Sequence, residues 1–184
     1  MGDASVIIDL AGRLENPGES ISRTGTLEAR SYTVGDKELG VPAGISYDVV
    51  LTNAGDGILV TGLVRAHAEG TCDRCLDLAR VEIAGEIEEY YLFQAPEDTE
   101  EAEDIDYELL PEDRVIDLAA PIMDAVVMDT PFVVLCRPDC QGLCPTCGAN
   151  LNRETCDCAE KAERARVESD ENPFAALKNL KLDD

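Results

Sequence analysis

The sequence contains no tryptophan, and aromatic residues make up only 4% of its 184 residues. A hydrophobic core must therefore consist mainly of Val, Ile, Leu and Ala side chains, and an apolar content of 45% is enough to form one. The length suits one domain of ordinary size, or one domain with a small appendage.

Basic residues are scarce. The chain has 15 Lys and Arg against 39 Asp and Glu, which gives a formal net charge of −24. Such a charge repels the phosphates of nucleic acid over most of the surface, so a basic protein is the more natural electrostatic partner. The alternative is that the acidity serves only solubility.

Signals for secretion or membrane insertion are also lacking. Residues 1–10 include Asp3 and Asp9 and no long apolar run, which argues against a signal peptide. No stretch approaches the roughly 20 apolar residues that a membrane-spanning helix needs. We therefore expect a cytoplasmic protein, in a compartment that keeps cysteines reduced.

Recognisable catalytic motifs are missing as well. His67 is the one histidine of the chain, and it falls in a predicted strand, where a surface or core position is more common than a catalytic one. The sequence has no HExxH, no GxSxG and no phosphate-binding glycine loop. We therefore predict that the protein is not an enzyme.

Alternation of apolar and polar residues is clearest in the first half of the chain. A period of two predicts strands at residues 46–53, 58–71 and 78–93, with reversals at 54–57 and 72–75. The third strand has an apolar side of Val81, Ile83, Ile87, Tyr91 and Phe93 and a polar side of Glu82, Glu86, Glu88 and Tyr90. This pattern is typical of an antiparallel meander with one buried face.

Two shorter strands are expected nearer the N-terminus, at residues 6–10 and 25–34. After the meander, residues 96–113 contain ten acidic side chains. Because like charges at this density resist burial, we predict a mobile loop. Its carboxylates could bind magnesium, although a solvated run of charge is the simpler interpretation.

A helix is predicted over residues 115–130, with Asp117 as its N-cap and Pro121 in its first turn. Pro131 would end it. Its buried side is predicted to contain Met123, Val126, Val127 and Met128. The predicted fold class is α+β: an antiparallel β-meander core with a packed helix and a C-terminal cysteine-rich zinc knuckle.

Three regions are predicted along the chain. Residues 1–135 form a β-rich domain, residues 136–158 form a cysteine-rich segment packed on it, and residues 159–184 form a polar tail. The tail is expected to be helical to about residue 171 and to end in a short amphipathic helix that begins with Pro173. The apolar stripe of that last helix consists of Phe174, Leu177 and Leu180.

Eight cysteines are the most informative feature of the sequence, namely Cys72, Cys75, Cys136, Cys140, Cys144, Cys147, Cys156 and Cys158. A gap of two residues lets one tight turn present both sulfurs to one ion. Thiolates are soft ligands that suit zinc, and structural zinc takes four of them in a tetrahedron. Eight cysteines therefore predict two structural zinc ions.

The preferred partition follows the order of the sequence. The first site would consist of Cys72, Cys75, Cys136 and Cys140, and the second of Cys144, Cys147, Cys156 and Cys158. The first would join the meander to the segment after the helix. The second would fold a loop too small for its own core, so metal binding would supply the free energy of folding there.

Other uses of the cysteines remain open. Disulfides would form if the compartment were oxidising. A redox pair at Cys72 and Cys75 is a weaker alternative, because these residues lie in a predicted meander rather than in a strand–helix unit. An iron–sulfur cluster would need the same ligands as zinc.

Three stretches carry a resemblance to a known family: GTCDRCL at residues 70–76, CRPDCQGLCPTCGANLNRETCDC at 136–158 and NPFAALKNL at 172–180. In their order and spacing, the sequence resembles the YceD family of large ribosomal RNA subunit accumulation proteins. The resemblance implies a factor for the synthesis, processing or stability of large-subunit ribosomal RNA, without a defined active site.

Two modes of action fit this resemblance. The acidic residues 97–113 could shield a basic ribosomal protein, with the C-terminal stripe docking on that partner or on the pre-ribosomal large subunit. Alternatively, Arg74, Arg137 and Arg153 around the zinc sites could contact precursor RNA directly. A magnesium-dependent nuclease is a third and weaker alternative, because no site geometry is apparent for it.

Overall fold

The computed structural model describes residues 5–95 and 108–168. These residues form nine strands and two helices. The elements are β1 (Ile7–Asp9), β2 (Ser20–Leu27), β3 (Ser31–Val34), β4 (Lys37–Gly40), β5 (Ile45–Asn53), β6 (Gly57–Thr71), β7 (Leu78–Leu92), β8 (Glu108–Leu109), β9 (Val115–Asp117), α1 (Ala119–Met128) and α2 (Cys158–Glu168). The chain is therefore mainly antiparallel sheet with two helices, as expected for the α+β class.

The predicted meander is confirmed as the centre of the larger sheet. Strand β6 pairs along its whole length with β7, and its other edge pairs with β5 and, beyond the end of β5, with β4. Strand β2 then pairs with β5, and β3 with β4. The reversal between β6 and β7 contains Cys72 and Cys75, which places both sulfurs at one end of the longest hairpin.

The alternation along β7 also matches the prediction. Ile83, Ile87 and Tyr91 are buried, while Glu82 and Glu86 are exposed. Helix α1 packs on the buried side, against β7 and β6. Helix α1 thus covers part of the buried face of the sheet, and the other face is exposed to solvent.

Helix α1 approaches the sheet most closely at Gly85. A Cβ atom at that position would lie 2.6 Å from the backbone oxygen of Ala125 and 2.9 Å from the Asp129 carboxylate. Just after the helix, the buried Tyr32 hydroxyl lies 2.9 Å from Thr130 Oγ1. Glycine at residue 85 therefore sets the short distance between helix and sheet.

One predicted strand was too long. Residues 25–34 were expected to be continuous, but the chain ends β2 at Leu27 and begins β3 at Ser31. The physical reason is that the two parts have different partners, β5 for β2 and β4 for β3. The Arg30 carbonyl in the bend between them accepts the backbone N–H of Val41 at 2.8 Å.

The predicted start of the helix was also wrong. Residues 115–117 form strand β9, which pairs with β1, and the helix begins at Ala119. The Asp117 carboxylate accepts the N–H of Val6 at 2.7 Å and that of Ala119 at 2.9 Å, so it joins the strand pair to the helix rather than serving as the N-cap. Pro121 does lie in the first turn.

The buried side of α1 was predicted only in part. Val126 is buried, as expected, and Met123 and Val127 are half-buried. Ile122 and Ala125 complete the buried side. Met128, which was expected to be buried, is 83% exposed, because it lies one helical turn after the exposed Asp124, on the side of the helix away from Ile122 and Val126.

Parts of the predicted loop and tail lie outside the described residues. Of the acidic segment, residues 96–107 fall outside, whereas Glu108–Leu109 form β8, which pairs in parallel with the end of β7. Of the tail, helix α2 confirms the helical prediction to residue 168, and the Phe174, Leu177 and Leu180 stripe falls outside. Within the described ranges, no helix is long and apolar enough to cross a membrane.

Candidate metal centres

Two clusters of four sulfurs are present in the described part of the chain. One joins Cys72, Cys75, Cys136 and Cys140, and the other joins Cys144, Cys147, Cys156 and Cys158. In each cluster all four Sγ atoms lie within 4.8 Å of one another. The structure thus brings together the same two sets of cysteines that the sequence analysis selected.

The sulfur distances in the first cluster fit a single tetrahedral ion. Cys72 Sγ lies 3.8 Å from Cys140 Sγ, and Cys75 Sγ lies 3.6 Å from Cys136 Sγ. A tetrahedron with Zn–S bonds of about 2.3 Å has sulfurs about 3.8 Å apart. A disulfide would need about 2.05 Å. In a 2Fe–2S cluster two cysteines bind each iron, and in a 4Fe–4S cluster each cysteine binds its own iron, so in both some sulfurs would lie further apart than the 4.8 Å limit observed here.

Both CxxC pairs are built on the same backbone turn. The N–H of Leu76 donates to the carbonyl of Cys72 at 3.0 Å, and the N–H of Gly148 donates to the carbonyl of Cys144 at 2.9 Å. Leu76 and Gly148 both have left-handed φ angles, of 63° and 74°. Each turn places its two sulfurs side by side and points backbone N–H groups at the first of them.

These N–H groups favour the thiolate form, which is the form that binds metal. The backbone N–H of Cys147 and that of Thr146 lower the pKa of Cys144 to about 6. Burial raises the pKa of Cys72, but the N–H of Arg74 and those of its other neighbours overcome this effect and lower it to about 6. By contrast, the hydrogen bond to Cys147 and burial raise the pKa of Cys158 to about 12. With all four sulfurs in the thiolate form, a cation between them would offset their mutual repulsion.

The two clusters differ in burial. Cys72 and Cys75 are 0% and 3% exposed and belong to the hydrophobic core, with Cys140 beside them. In the second cluster Cys147 is exposed and Cys156 is half-buried. The first cluster is therefore part of the domain interior, whereas the second closes a surface loop.

The cysteine-rich segment packs directly on the turn between β6 and β7. The N–H of Leu143 donates to the Arg74 carbonyl at 3.0 Å. Gly142, at a φ of 76°, lies so near Arg74 that a Cβ atom would be 3.1 Å from the Arg74 carbonyl oxygen. Glycine is thus needed at residue 142 for both its conformation and this close contact.

The three arginines selected as a possible RNA contact are engaged within the cysteine-rich region. Arg74 Nη1 donates to the carbonyl of Cys140 at 2.9 Å. Arg137 Nη2 donates to the Asn152 side chain at 2.7 Å. Arg153 Nη2 lies 2.9 Å from the Asp77 carboxylate. The side chains of Arg137 and Arg153 remain partly exposed, but all three guanidinium groups already have acceptors.

His67 lies on the surface, as predicted, with Nδ1 3.9 Å from the Glu82 carboxylate. Sequence reasoning missed the polar residues around the sulfurs, above all Asp73, Asp77 and Asn152. Their one signal was position, since Asp73 lies within the first CxxC turn, Asp77 lies two residues after it, and Asn152 lies between Cys147 and Cys156. Their partners come from distant parts of the chain.

The sequence of the chain is similar to those of several known proteins. A family model described as "Large ribosomal RNA subunit accumulation protein YceD" matches residues 60–181, a range that contains both sulfur clusters. An uncharacterized protein of Mycobacterium tuberculosis is 32% identical over 151 residues, which cover 80% of this chain and 71% of that protein. An uncharacterized protein of Mycobacterium leprae is 33% identical over 116 residues, 62% of this chain and 51% of the relative.

A plant relative carries a functional name. Large ribosomal RNA subunit accumulation protein YCED homolog 1, chloroplastic, of Arabidopsis thaliana is 30% identical over 147 residues. The match covers 66% of this chain and 45% of the plant protein. No solved structure matches the chain significantly.

Proposed function

The chain belongs to the YceD family of large ribosomal RNA subunit accumulation proteins, and on this basis we propose that it is a zinc-binding, non-enzymatic accessory factor of large ribosomal subunit biogenesis in the cytoplasm. The family name describes a role in the accumulation of large-subunit ribosomal RNA. That family assignment is the observation that carries the proposal. The sulfur clusters support zinc binding, and the net charge supports the choice of partner.

Zinc is proposed from the donor set. Each cluster offers four cysteine sulfurs and, in the first, distances of 3.6 and 3.8 Å that suit Zn–S bonds. A site closed by four thiolates has no position for water or substrate, so the ion would be structural. Bound zinc would cross-link four sulfurs, two from each of two chain segments.

A basic ribosomal protein is the proposed partner. The net charge of −24 favours cations. On the solvent-facing side of the sheet, Glu82, Glu86 and Glu88 lie at alternate positions of β7, and Asp48 lies on the same face, two strands away from Glu86. Residues 97–113, with ten acidic side chains in the sequence, are a second candidate for this contact. A basic protein bound there would be kept from premature contact with RNA.

The first experiment is affinity purification of the tagged protein from its own cells, with and without nuclease. Retention of a basic ribosomal protein after nuclease supports direct protein contact. Binding of that purified protein should weaken sharply with added salt, because screening reduces attraction between surface charges. Binding that is indifferent to salt would contradict the charge-based contact.

Two triple variants that remove the same number of charges test whether the basic protein binds to the exposed face of β7. Glu82→Gln, Glu86→Gln and Glu88→Gln together should weaken binding at low salt. The control removes the same number of charges at exposed residues of the other end of the chain, by Glu154→Gln, Glu160→Gln and Glu163→Gln. Equal losses in both triple variants would show that only net charge matters.

Direct RNA contact remains the second candidate, because three arginines lie around one sulfur cluster. Their engagement with Cys140, Asn152 and Asp77 argues for a structural role. Loss of all partners on nuclease treatment would favour the RNA alternative. In that case Arg137→Glu with Arg153→Glu should abolish RNA binding while zinc content is retained.

A further inference from the structure

Asn152 belongs to the loop of the second sulfur cluster, yet its side chain contacts the first. Its Nδ2 donates to Cys140 Sγ at 3.4 Å. Its Oδ1 accepts the backbone N–H of Gln141 at 2.8 Å and Arg137 Nη2 at 2.7 Å. One amide therefore contacts a sulfur of the first cluster. It also binds the two residues that directly follow the ligands Cys136 and Cys140.

Asp77 makes a second connection between the clusters. It follows the first CxxC turn, and its Oδ2 lies 3.6 Å from Cys75 Sγ. The same oxygen accepts Asn150 Nδ2 at 3.1 Å and lies 2.9 Å from Arg153 Nη2. The loop between Cys147 and Cys156 thus supplies three side chains to the surroundings of the first cluster.

Metal at the second cluster would add to a backbone contact, from the N–H of Leu151 to the Gly142 carbonyl at 2.9 Å, in holding that loop. Local hydrogen bonds shape it, since the N–H of Asn152 donates to Asn150 Oδ1 at 3.0 Å and the N–H of Glu154 to the Asn150 carbonyl at 3.0 Å. Residues 152–155 are half-buried or exposed, so apolar packing contributes little. A metal ion that joins cysteines at both ends of the loop would restrict its conformations.

We propose that Asn152 is an outer-sphere positioning residue of the first sulfur cluster, and that metal bound at the second cluster fixes Asn152 and thereby raises the metal affinity of the first. The inference rests on the zinc binding proposed above. An N–H group that donates to a thiolate stabilises its charge, and loss of such an outer-sphere contact typically lowers metal affinity about 10- to 100-fold. Because coupling of binding equilibria is reciprocal, metal at the first cluster must also raise the affinity of the second.

The test begins with the zinc-loaded full chain in a competition with a chelator of known zinc affinity. Cys156→Ser with Cys158→Ser removes the second site, and the first site should then bind zinc at least tenfold more weakly than in the native protein. A first site of unchanged affinity would overturn the inference while leaving zinc binding intact. A native protein that holds no metal would overturn both proposals.

Asn152→Asp removes the hydrogen bond to sulfur and places a carboxylate beside it. The carboxylate keeps an acceptor for Gln141 and Arg137 but cannot donate to Cys140. We expect about a tenfold loss of affinity at the first site. After exchange of zinc for cobalt, the sulfur-to-cobalt charge-transfer bands should move to longer wavelength, because the sulfur has lost a donor. A purely structural role for Asn152 would leave those bands in place.

A control variant and a combined variant test whether Asn152 couples the two clusters. Gln141→Ala is the control, since its side chain bonds only the Asp139 carbonyl and its backbone N–H remains available to Asn152. It should leave both affinity and spectrum unchanged. In the variant without the second site, Asn152→Asp should have much less effect than in the native protein. Equal effects in the two backgrounds would overturn the coupling.

Discussion

The carboxylate of Asp73 accepts the backbone N–H of Val134 at 2.6 Å, and the N–H of Asp73 donates back to the Val134 carbonyl at 2.9 Å. The pair joins the turn between β6 and β7 to the segment after α1. Lys37 Nζ lies 2.6 Å from the same carboxylate oxygen and donates to the carbonyl of Phe132 at 2.7 Å. These contacts align the first CxxC turn with the segment that leads to Cys136.

Two replacements of Asp73 should therefore distinguish its contact with the backbone of Val134 from its ion pair with Lys37. Asp73→Ala leaves the N–H of buried Val134 without its side-chain acceptor, and we expect the free energy of unfolding to fall by about 2 kcal/mol. Asp73→Asn keeps an acceptor and loses only a partly exposed ion pair with Lys37, so it should cost less than about 1 kcal/mol. Chemical denaturation of the zinc-loaded protein measures both. Similar losses in the two variants would mean that the ion pair, not the backbone contact, is the larger contribution.

The two sulfur clusters should respond differently to loss of one ligand. Cys72 lies in the hydrophobic core, so Cys72→Ser should reduce zinc content and remove the cooperative unfolding transition of the whole domain. Cys156→Ser should leave one zinc ion per chain and a native-like β-sheet signal in circular dichroism. Metal analysis together with thermal unfolding distinguishes these outcomes. Global unfolding of Cys156→Ser would show that the second cluster supports more than its own loop.

Gly85 should tolerate no side chain. A methyl group there would meet the backbone of α1 at Ala125, and backbone cannot move aside cheaply, so Gly85→Ala should lower the free energy of unfolding by about 2 kcal/mol or more. Gly70→Ala is the matched control. Its Cβ would meet Cδ2 of the buried Leu39 at 2.6 Å, a side chain rather than backbone, and we expect a smaller loss of about 1 kcal/mol. Denaturant titration of both variants makes the comparison.

Tyr91 predicts a dependence of stability on alkaline pH. Burial, followed by the carboxylates of Glu108 and Glu89, raises the pKa of Tyr91 from 10.0 to about 12. A folded-state pKa above the unfolded value means that the protonated phenol stabilises the fold. This contribution is fully present below pH 10 and is lost as the pH rises toward 12. The stability of the native protein relative to that of Tyr91→Phe should therefore fall over this interval, as followed by denaturation at a series of pH values. A constant difference would contradict the assigned burial.

The central meander and the sulfur ligands could be predicted because both have a local signal. Residues of β6 and β7 largely alternate between apolar and polar, so the face on which each position lies can be read without knowing its partner. The break between Leu27 and Ser31 could not be predicted in this way, because it is set by the different partner strands of β2 and β3. Val115–Asp117 likewise became a strand because β1, far away in the sequence, pairs with it.

The same distinction applies within the site. Cysteine spacing alone suggested which sulfurs meet, since a CxxC turn brings two ligands together wherever it lies. The surrounding polar contacts gave no such signal. Asp73 and Val134 are separated by 61 residues and Asp77 and Asn150 by 73, so only the folded chain brings them together. Prediction of the outer-sphere residues requires knowledge of the fold, whereas prediction of the ligands requires only the spacing of the cysteines.

The unequal spans of the two sulfur clusters have a consequence for the order of events during folding. The second cluster closes within the stretch from Cys144 to Cys158, whereas the first must bring Cys140 to Cys72 across β7, β8, β9 and α1, which lie between them in the sequence. Short closures are statistically easier and faster for a disordered chain than long ones. A nascent chain should therefore bind its first ion at the second cluster, which is synthesised last. The interior cross-link at the first cluster should form afterwards, when the hairpin and helix are already in place.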